Sequence, residues 1–161
     1  MQAMGIRDVE LALEQLRLEI EIIEFGTSTA TSQQAADKVR CKLGQIVKSL
    51  GFLIEKTKPI LVLASGDQSV DDRKLASLLQ VGRKKVRMMS PEQCLSILGY
   101  SPGGVPPLGH RSPDIRVIID DCLRRYEKVY AAGGAANAIF PIELAVLQRV
   151  TRADFADIAK A

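Results

Sequence analysis

Hydrophobic residues near the start of the chain recur at spacings that predict two helices with a strand between them. Over residues 7–19, apolar side chains fall mostly at helical intervals between charges, which is typical of an amphipathic helix. A short strand is predicted over 21–25. The next helix is predicted over 33–39, with Thr31 or Ser32 as its N-cap.

A β-hairpin is predicted over residues 45–66, where two apolar runs flank the polar turn "EKTKP". Lys48 interrupts the first run, and strand alternation places it on the same face as Ile46 and Leu50. A lysine among apolar residues costs free energy unless it is paired or lies at a cleft. Two interpretations remain open at this point: Lys48 lies on the outward face of a half-buried strand, or it lines a pocket.

The second half of the chain mixes helices and strands without a regular βαβ alternation. Helices are predicted over 69–81, with Ser69 as the cap, and over 90–100, where Ser90 is the N-cap and Gly99 ends the helix. This arrangement favours an α+β fold, with one domain over residues 1–161 around a mixed, curled sheet. The other predicted elements are strands over 84–90, 115–120, 128–134, 137–142 and 154–160, a helical turn over 120–126 and a helix over 142–150.

The segment "GYSPGGVPPLGH", residues 99–110, concentrates glycine and proline. Glycine permits positive φ and close approach of a ligand, whereas proline fixes φ and removes a donor. Such a loop is either a tight connection between two elements or a stiff frame whose backbone groups are aimed at a ligand.

Composition and charge set limits on the function. The formal net charge of +3 is compatible with a nucleic-acid partner, but the aromatic content of 4% disfavours a broad base-stacking surface. No apolar run is long enough to span a membrane and the N-terminus does not resemble a signal peptide, so we expect a cytoplasmic protein without a membrane partner. Three isolated cysteines favour reduced thiols.

The sequence lacks the usual patterns of nucleophilic, metal and nucleotide chemistry. His110 is the only histidine, so a Ser–His or Cys–His pair would have to use it; the alternative is an ordinary loop residue. The sequence contains no Gly-x-Ser-x-Gly elbow, no cluster of His, Cys and acidic residues at metal-ligand spacing, and no phosphate-binding glycine motif. We therefore expect neither a metal nor another cofactor.

Five segments occur in an order that resembles a known family: "QIVKSL", "LVLASGD", "GGVPPLG", "VYAAGG" and "FADIAK". Together they are similar to the YbaK/prolyl-tRNA-synthetase-associated domain family of trans-editing aminoacyl-tRNA deacylases. The resemblance extends over nearly the whole chain. It implies a compact mixed-sheet domain that is partly closed like a barrel, with helices packed outside.

The resemblance also implies a pocket for the aminoacyl ester at the 3′ end of a tRNA. Backbone N–H groups of the glycine–proline loop would stabilise the oxyanion formed during ester hydrolysis, and water would attack, aided by a hydroxyl of the terminal ribose. A synthetase or an elongation factor is implied as a further partner. The catalytic residues implied are Lys48, Gly103, Gly104 and Val105, and the substrate-binding residues are Pro106, Pro107, Leu108, Gly109, His110 and Gly133.

The amino acid removed is constrained only in part by the resemblance. The cysteinyl-tRNA branch carries a serine before its double glycine and an acid shortly after, where this chain has Ala132 and Ile139. The alanine branch has an asparagine after its lysine, where this chain has Ser49. A small or medium uncharged amino acid is therefore expected, and a non-catalytic module that binds a tRNA end or a synthetase is the alternative function.

Overall fold

The computed structural model describes residues 2–161 as five α-helices around one mixed eight-stranded sheet, which confirms the expected α+β class. The sheet order is β1-β7-β6-β2-β3-β5-β8, and β4 pairs with β2 away from this path. The strands are β1 Ile23–Glu24, β2 Ile46–Ile54, β3 Lys58–Ser65, β4 Val86–Met88, β5 Arg116–Asp120, β6 Lys128–Ala132, β7 Ala138–Glu143 and β8 Asp154–Ala156. The helices are α1 Ile6–Gln15, α2 Ser32–Val39, α3 Asp72–Leu79, α4 Pro91–Gln93, which continues as a π-helix over Cys94–Leu98, and α5 Leu144–Thr151, with 3-10 helices at Leu43–Gln45, Arg83–Lys85 and Asp121–Arg125.

The predicted hairpin is confirmed and forms the centre of the sheet. β2 and β3 pair antiparallel along their whole length, and β3 also pairs in parallel with β5. Leu61 and Leu63 of β3 belong to one hydrophobic cluster, whereas Ile60 and Val62 belong to a second cluster. A strand buried on both faces is expected to be apolar throughout, which explains the unbroken run in the sequence.

Several predicted caps are confirmed by hydrogen bonds. The Thr31 side chain accepts from the N–H of Gln34, and the Ser90 side chain accepts from the N–H of Gln93. Gly99 ends the π-helix with a φ of +99°, a conformation that glycine adopts at little cost. At these three positions the local sequence therefore predicts the helix ends correctly.

The prediction that Ser69 caps α3 is wrong, because Asp71 performs this role. Its carboxylate accepts from the N–H of Arg73 at 2.9 Å and from that of Lys74 at 3.4 Å. Ser69 instead uses its carbonyl to accept from the backbone N–H of Lys160. The helix consequently begins two to three residues later than predicted.

Several predicted elements are shorter than their sequence patterns, and the strand predicted over 84–90 is reduced to β4, because Arg83–Lys85 form a 3-10 helix. α1 ends at Gln15, and Arg17 soon after it has a φ of +57°. Only two residues of the predicted strand over 21–25 pair, in β1. The last strand ends at Ala156, and beyond it the N–H of Ile158 donates to the carboxylate of Asp120 while its carbonyl accepts from the N–H of Asp71.

Candidate active site

A break in the pairing of β2 creates the candidate site. On the edge opposite β3, the start of β2 pairs with β6 through Ile46 and Val47, and its end pairs with β4 from Phe52 onwards. Residues 48–50 lie between these two partners. Within residues 2–161, no third strand pairs with them on this edge, so Lys48 lies where the sheet opens.

A cavity of about 270 Å3 lies at this opening. Among residues 2–161, Lys48 is the only residue with a formal charge in its wall, and no histidine or carboxylate lines it. This volume is close to the lower end of the range for small-molecule sites. The cavity is lined by Thr29, Ala30, Thr31, Ser32, Ala35, Ile46, Val47, Lys48, Ser49, Leu50, Gly103, Val105, Tyr130, Ala131, Ala132 and Ile139.

The ammonium group of Lys48 is partly buried and donates a hydrogen bond to the carbonyl of Gln68. Burial lowers the pKa of Lys48 below its ordinary value, and the nearby Asp67 carboxylate opposes this shift. Lys48 forms no salt bridge among residues 2–161. Its positive charge is therefore not neutralised by a directly bound carboxylate.

Arg125 holds the Asp67 carboxylate through two hydrogen bonds, of 2.8 and 3.1 Å. Its guanidinium also donates to Ser65 Oγ at 2.8 Å, and that hydroxyl donates to the carbonyl of Gly44. The Arg125 hydrogen bond lowers the pKa of Asp67, so Asp67 stays ionised. This network fixes the turn that carries the carbonyl partner of Lys48, because Gln68 directly follows Asp67 in the chain.

The glycine–proline loop supplies part of the cavity wall through Gly103 and Val105. Gly103 has a φ of +91°. Gly104, in contrast, does not line the cavity, and its N–H donates to the carbonyl of Ser101 at 3.1 Å. Within residues 2–161, the N–H groups of Gly103 and Val105 have no hydrogen-bond partner, so these two remain available to a ligand.

The rest of the loop lies elsewhere. The four residues Pro107, Leu108, Gly109 and His110 line a separate cavity beside α1, and Pro106 lines neither cavity. Nε2 of His110 donates to the carbonyl of Pro106 at 2.8 Å. Burial lowers the pKa of His110, which favours the neutral ring. The structure therefore separates His110 from Lys48 and gives its ring a role in holding the loop.

Gly133 also lies outside the cavity wall, although its neighbour Ala132 is part of it. The N–H of Gly133 donates to the carbonyl of Ala138 at 2.8 Å. A Cβ at Gly133 would lie 2.7 Å from Cγ2 of Ile22. The geometry thus gives this glycine a packing role, beneath the segment that precedes β1.

Several residues at the site were not singled out from the sequence. The segment from Thr29 to Ser32 lines the cavity, yet it contains only small residues before a helix, a pattern without chemical specificity. Asp67 lies in the quoted segment "LVLASGD", so its position beside the site had a signal. Arg125 had none, because a 60-residue separation from Ser65 is bridged only by the fold.

Ser49 has an unusual environment in the wall of the cavity. Its Oγ is buried and has no hydrogen-bond partner within residues 2–161. Buried hydroxyls are normally paired, so an unpaired one at a cavity is a candidate contact for a ligand.

Residues 27–150 match the model of the aminoacyl-tRNA editing domain. The uncharacterized protein YwhH of Bacillus subtilis is 36% identical over 84% of this chain and 83% of its own length. A proline–tRNA ligase of Limosilactobacillus fermentum is 33% identical over 69% of this chain, which spans only 20% of that ligase.

A solved structure shows the same fold. A crystal structure of a candidate trans-editing enzyme for prolyl tRNA synthetase superposes with a TM-score of 0.89 and 36% identity, over 97% of both chains. Agreement in sequence and in architecture over nearly the whole length supports one assignment. This chain belongs to the aminoacyl-tRNA editing domain family.

Proposed function

We propose that this protein hydrolyses the ester of mischarged aminoacyl-tRNA at the tRNA 3′ end. The observation that carries the proposal is the cavity whose wall, among residues 2–161, has Lys48 as its only formal charge and also includes Gly103 and Val105, in a chain of the editing-domain family. An ester needs a cation or N–H donors near its carbonyl oxygen, because negative charge develops there during hydrolysis. The cavity offers both.

The N–H groups of Gly103 and Val105 are the proposed donors to the oxyanion. Their lack of a partner within residues 2–161 supports this role, whereas the N–H of Gly104 is already engaged by Ser101. Lys48 binds the carbonyl region or the terminal phosphate as a point charge. Gly104 contributes by allowing the loop to pack closely.

Water is the proposed nucleophile, with a hydroxyl of the substrate's terminal ribose assisting. Serine and threonine hydroxyls line the cavity, but a hydroxyl nucleophile needs an adjacent base. Within residues 2–161 no histidine or carboxylate lines the cavity, and the proposal uses Lys48 as a cation, so no base is left for a hydroxyl nucleophile and water is the proposed alternative.

The amino acid removed is proposed to be small or medium-sized and uncharged. The volume of about 270 Å3 limits its size, and the wall consists largely of alanine, aliphatic and hydroxyl side chains. A cationic side chain would be repelled by Lys48, and an anionic one would compete with the ester for it. The absence of a serine at Ala132 disfavours the pattern of the cysteinyl branch.

The proposal extends to the tRNA, an accessory partner and the cellular location. Similarity to a proline–tRNA ligase and to a candidate trans-editing enzyme for prolyl tRNA synthetase points to tRNA charged by that synthetase. A synthetase or an elongation factor that holds the same tRNA is the proposed accessory partner, and the cytoplasm is the proposed location. No helix within residues 2–161 is long and apolar enough to cross a membrane.

A deacylation panel tests the proposal. tRNAs charged with different labelled amino acids are incubated with the protein, and loss of the acyl label is followed under single-turnover conditions. Wild-type protein is expected to hydrolyse at least one ester of a small uncharged amino acid, and Lys48→Ala to lose most of this rate while remaining folded. Binding of tRNA without hydrolysis of any ester would instead favour a non-catalytic module.

Lys58→Ala is the matched control. Lys58 is exposed, lies on the same hairpin and forms only a surface pair with Glu55. It lies six residues along β3 from Ala64, the partner of Lys48, or roughly 20 Å away. Equal loss of rate in Lys58→Ala and Lys48→Ala would show that a lysine on this hairpin matters only for general charge.

A further inference from the structure

A second cavity adjoins the candidate active site. Its volume is about 590 Å3, and it shares Lys48 and Leu50 with the first cavity. The two cavities meet at the unpaired part of β2. Residues of α3, β4 and the C-terminal segment form the rest of the second cavity's wall. We name this second cavity the basic cleft, after its lining residues Lys48, Arg73, Arg83 and Lys160.

Two acidic residues also line the basic cleft, but both are occupied by interactions within the protein. Asp71 accepts two backbone N–H groups as the cap of α3. Asp72 forms a salt bridge of 3.2 Å with Arg83. Neither carboxylate therefore neutralises Arg73 or Lys160.

The basic cleft carries a net positive charge, because its lining holds four basic and two acidic residues. Among residues 2–161, no carboxylate forms a salt bridge with Lys48, Arg73 or Lys160, nor with the exposed Lys84 and Lys85 that follow Arg83. The lining alone thus has a formal excess of two positive charges, in a chain whose formal net charge is +3. Such a concentration beside a cavity attracts an extended polyanion.

The residues that line the basic cleft are suited to contacts with phosphates and not to contacts with bases. Its one aromatic residue, Phe52, is only 4% exposed and belongs to the core. Stacking with bases therefore contributes little, and contacts to the phosphate backbone remain. Such contacts position a strand without selecting its sequence.

We infer that the basic cleft binds the phosphodiester backbone of the single-stranded 3′ end of tRNA while the aminoacyl group occupies the first cavity. This inference rests on the proposed function, because it uses the ester as the fixed point. The strand that precedes the ester must leave the first cavity, and the shared Lys48 leads directly into the basic cleft. The ligand is a linear chain of phosphodiesters.

Arg73→Ala, Lys160→Ala and their combination test the inference. Both residues are exposed, and neither lines the first cavity. Arg149→Ala on α5 is the matched control, since Arg149 is exposed, lines neither cavity and forms no salt bridge within residues 2–161. Each protein is assayed on aminoacyl-tRNA and on the same amino acid esterified to adenosine, which lacks phosphates.

The expected result is a loss of kcat/KM on aminoacyl-tRNA in the cleft variants, with an unchanged rate on the aminoacyl-adenosine. Each phosphate contact to a single strand adds about 0.7 to the salt slope. A variant that loses one contact should therefore be about 2.6-fold less sensitive to a rise from 50 to 200 mM salt. An equal loss on both substrates, or no change on aminoacyl-tRNA, would overturn the inference.

Binding of an uncharged single-stranded oligonucleotide that ends in CCA separates this inference from the proposed function. Salt-dependent binding by wild type and weaker binding by the cleft variants would support the basic cleft even if no ester is hydrolysed. Absence of binding at low salt would overturn the inference while leaving hydrolysis of small esters intact. Equal or tighter binding of a poly-glutamate peptide at the same ionic strength would also overturn it.

Discussion

Alanine substitutions at Gly103 and Gly104 should separate catalysis from folding, because the two neighbouring glycines have different surroundings. Gly103 has a φ of +91°, and an added Cβ would lie 3.0 Å from Cβ of Ala30. Gly104 has no positive φ, but its added Cβ would lie 2.9 Å from backbone atoms of Ala135. Ala30 has to shift by only a few tenths of an ångström to accept the Cβ at Gly103, because the next of its atoms lies 3.7 Å away, whereas three backbone atoms of Ala135 lie within 3.0 Å of the Cβ at Gly104.

We expect Gly103→Ala to affect mainly the rate and Gly104→Ala to affect mainly the stability. Gly103→Ala should cost about 1 kcal/mol of stability through its φ. Displacing one oxyanion donor should reduce the rate about 100- to 1000-fold, equivalent to about 2.7–4 kcal/mol. Gly104→Ala introduces overpacking that costs about 1–3 kcal/mol, yet its N–H already donates to Ser101. It should lower stability more than the rate of the folded fraction.

The assay combines single-turnover deacylation with urea unfolding of each variant. Gly82→Ala is the control, because Gly82 has a φ of −67° and an added Cβ meets nothing within 4 Å. The oxyanion assignment is refuted if Gly103→Ala keeps the full rate on the preferred substrate. If Gly103→Ala merely unfolds, the loop is a structural turn and the rate loss has no catalytic meaning.

Three further variants test the electrostatics of the cavity. The wild-type rate should fall as pH rises through the lowered pKa of Lys48. Lys48→Arg should remove this fall, because a guanidinium stays protonated throughout the assay range. If the fall persists in Lys48→Arg after spontaneous hydrolysis is subtracted, another group causes it. Ser49→Ala should leave the free energy of unfolding unchanged or raised, since it removes an unpaired buried hydroxyl, but should alter the ranking of amino acids in the deacylation panel; an unchanged ranking contradicts a substrate contact. Arg125→Met should free Asp67 to pair with Lys48. This pairing should raise the pKa of Lys48 further and lower the rate, because the ammonium is then occupied. A shift of the pH profile to higher pH with an unchanged rate would exclude a positioning role for Arg125.

The local parts of the fold were predictable because their signals lie within a few residues. Ser90 and Gly99 limit one helical segment through hydrogen bonds and a positive φ that depend on immediate neighbours. The segment after β8 was not predictable in the same way. Asp120 takes the N–H of Ile158 across 38 residues, and no window of sequence contains both.

The candidate site, too, combines features that local sequence predicts with features that depend on distant parts of the chain. The Lys48 pattern predicted either a pocket wall or an outward face, and the structure places Lys48 in a cavity wall because β6 and β4 leave the middle of one β2 edge unpaired. Strand alternation cannot reveal such a gap. The glycine–proline loop is one continuous segment in the sequence, but its second half lines another cavity, where His110 donates a hydrogen bond to the carbonyl of Pro106.

Lys48 and Arg125 are both near the Asp67 carboxylate, and Arg125 is the one that binds it. A buried ammonium needs a compensating anion, and Asp67 is close enough to raise its pKa. If Asp67 paired with Lys48 directly, the two charges would cancel and a ligand would have to break the pair. Arg125 instead engages both Asp67 oxygens, so Lys48 is left with the neutral carbonyl of Gln68. The anion thus supports protonation of Lys48 from a distance, while the ammonium keeps its capacity to bind an ester or a phosphate.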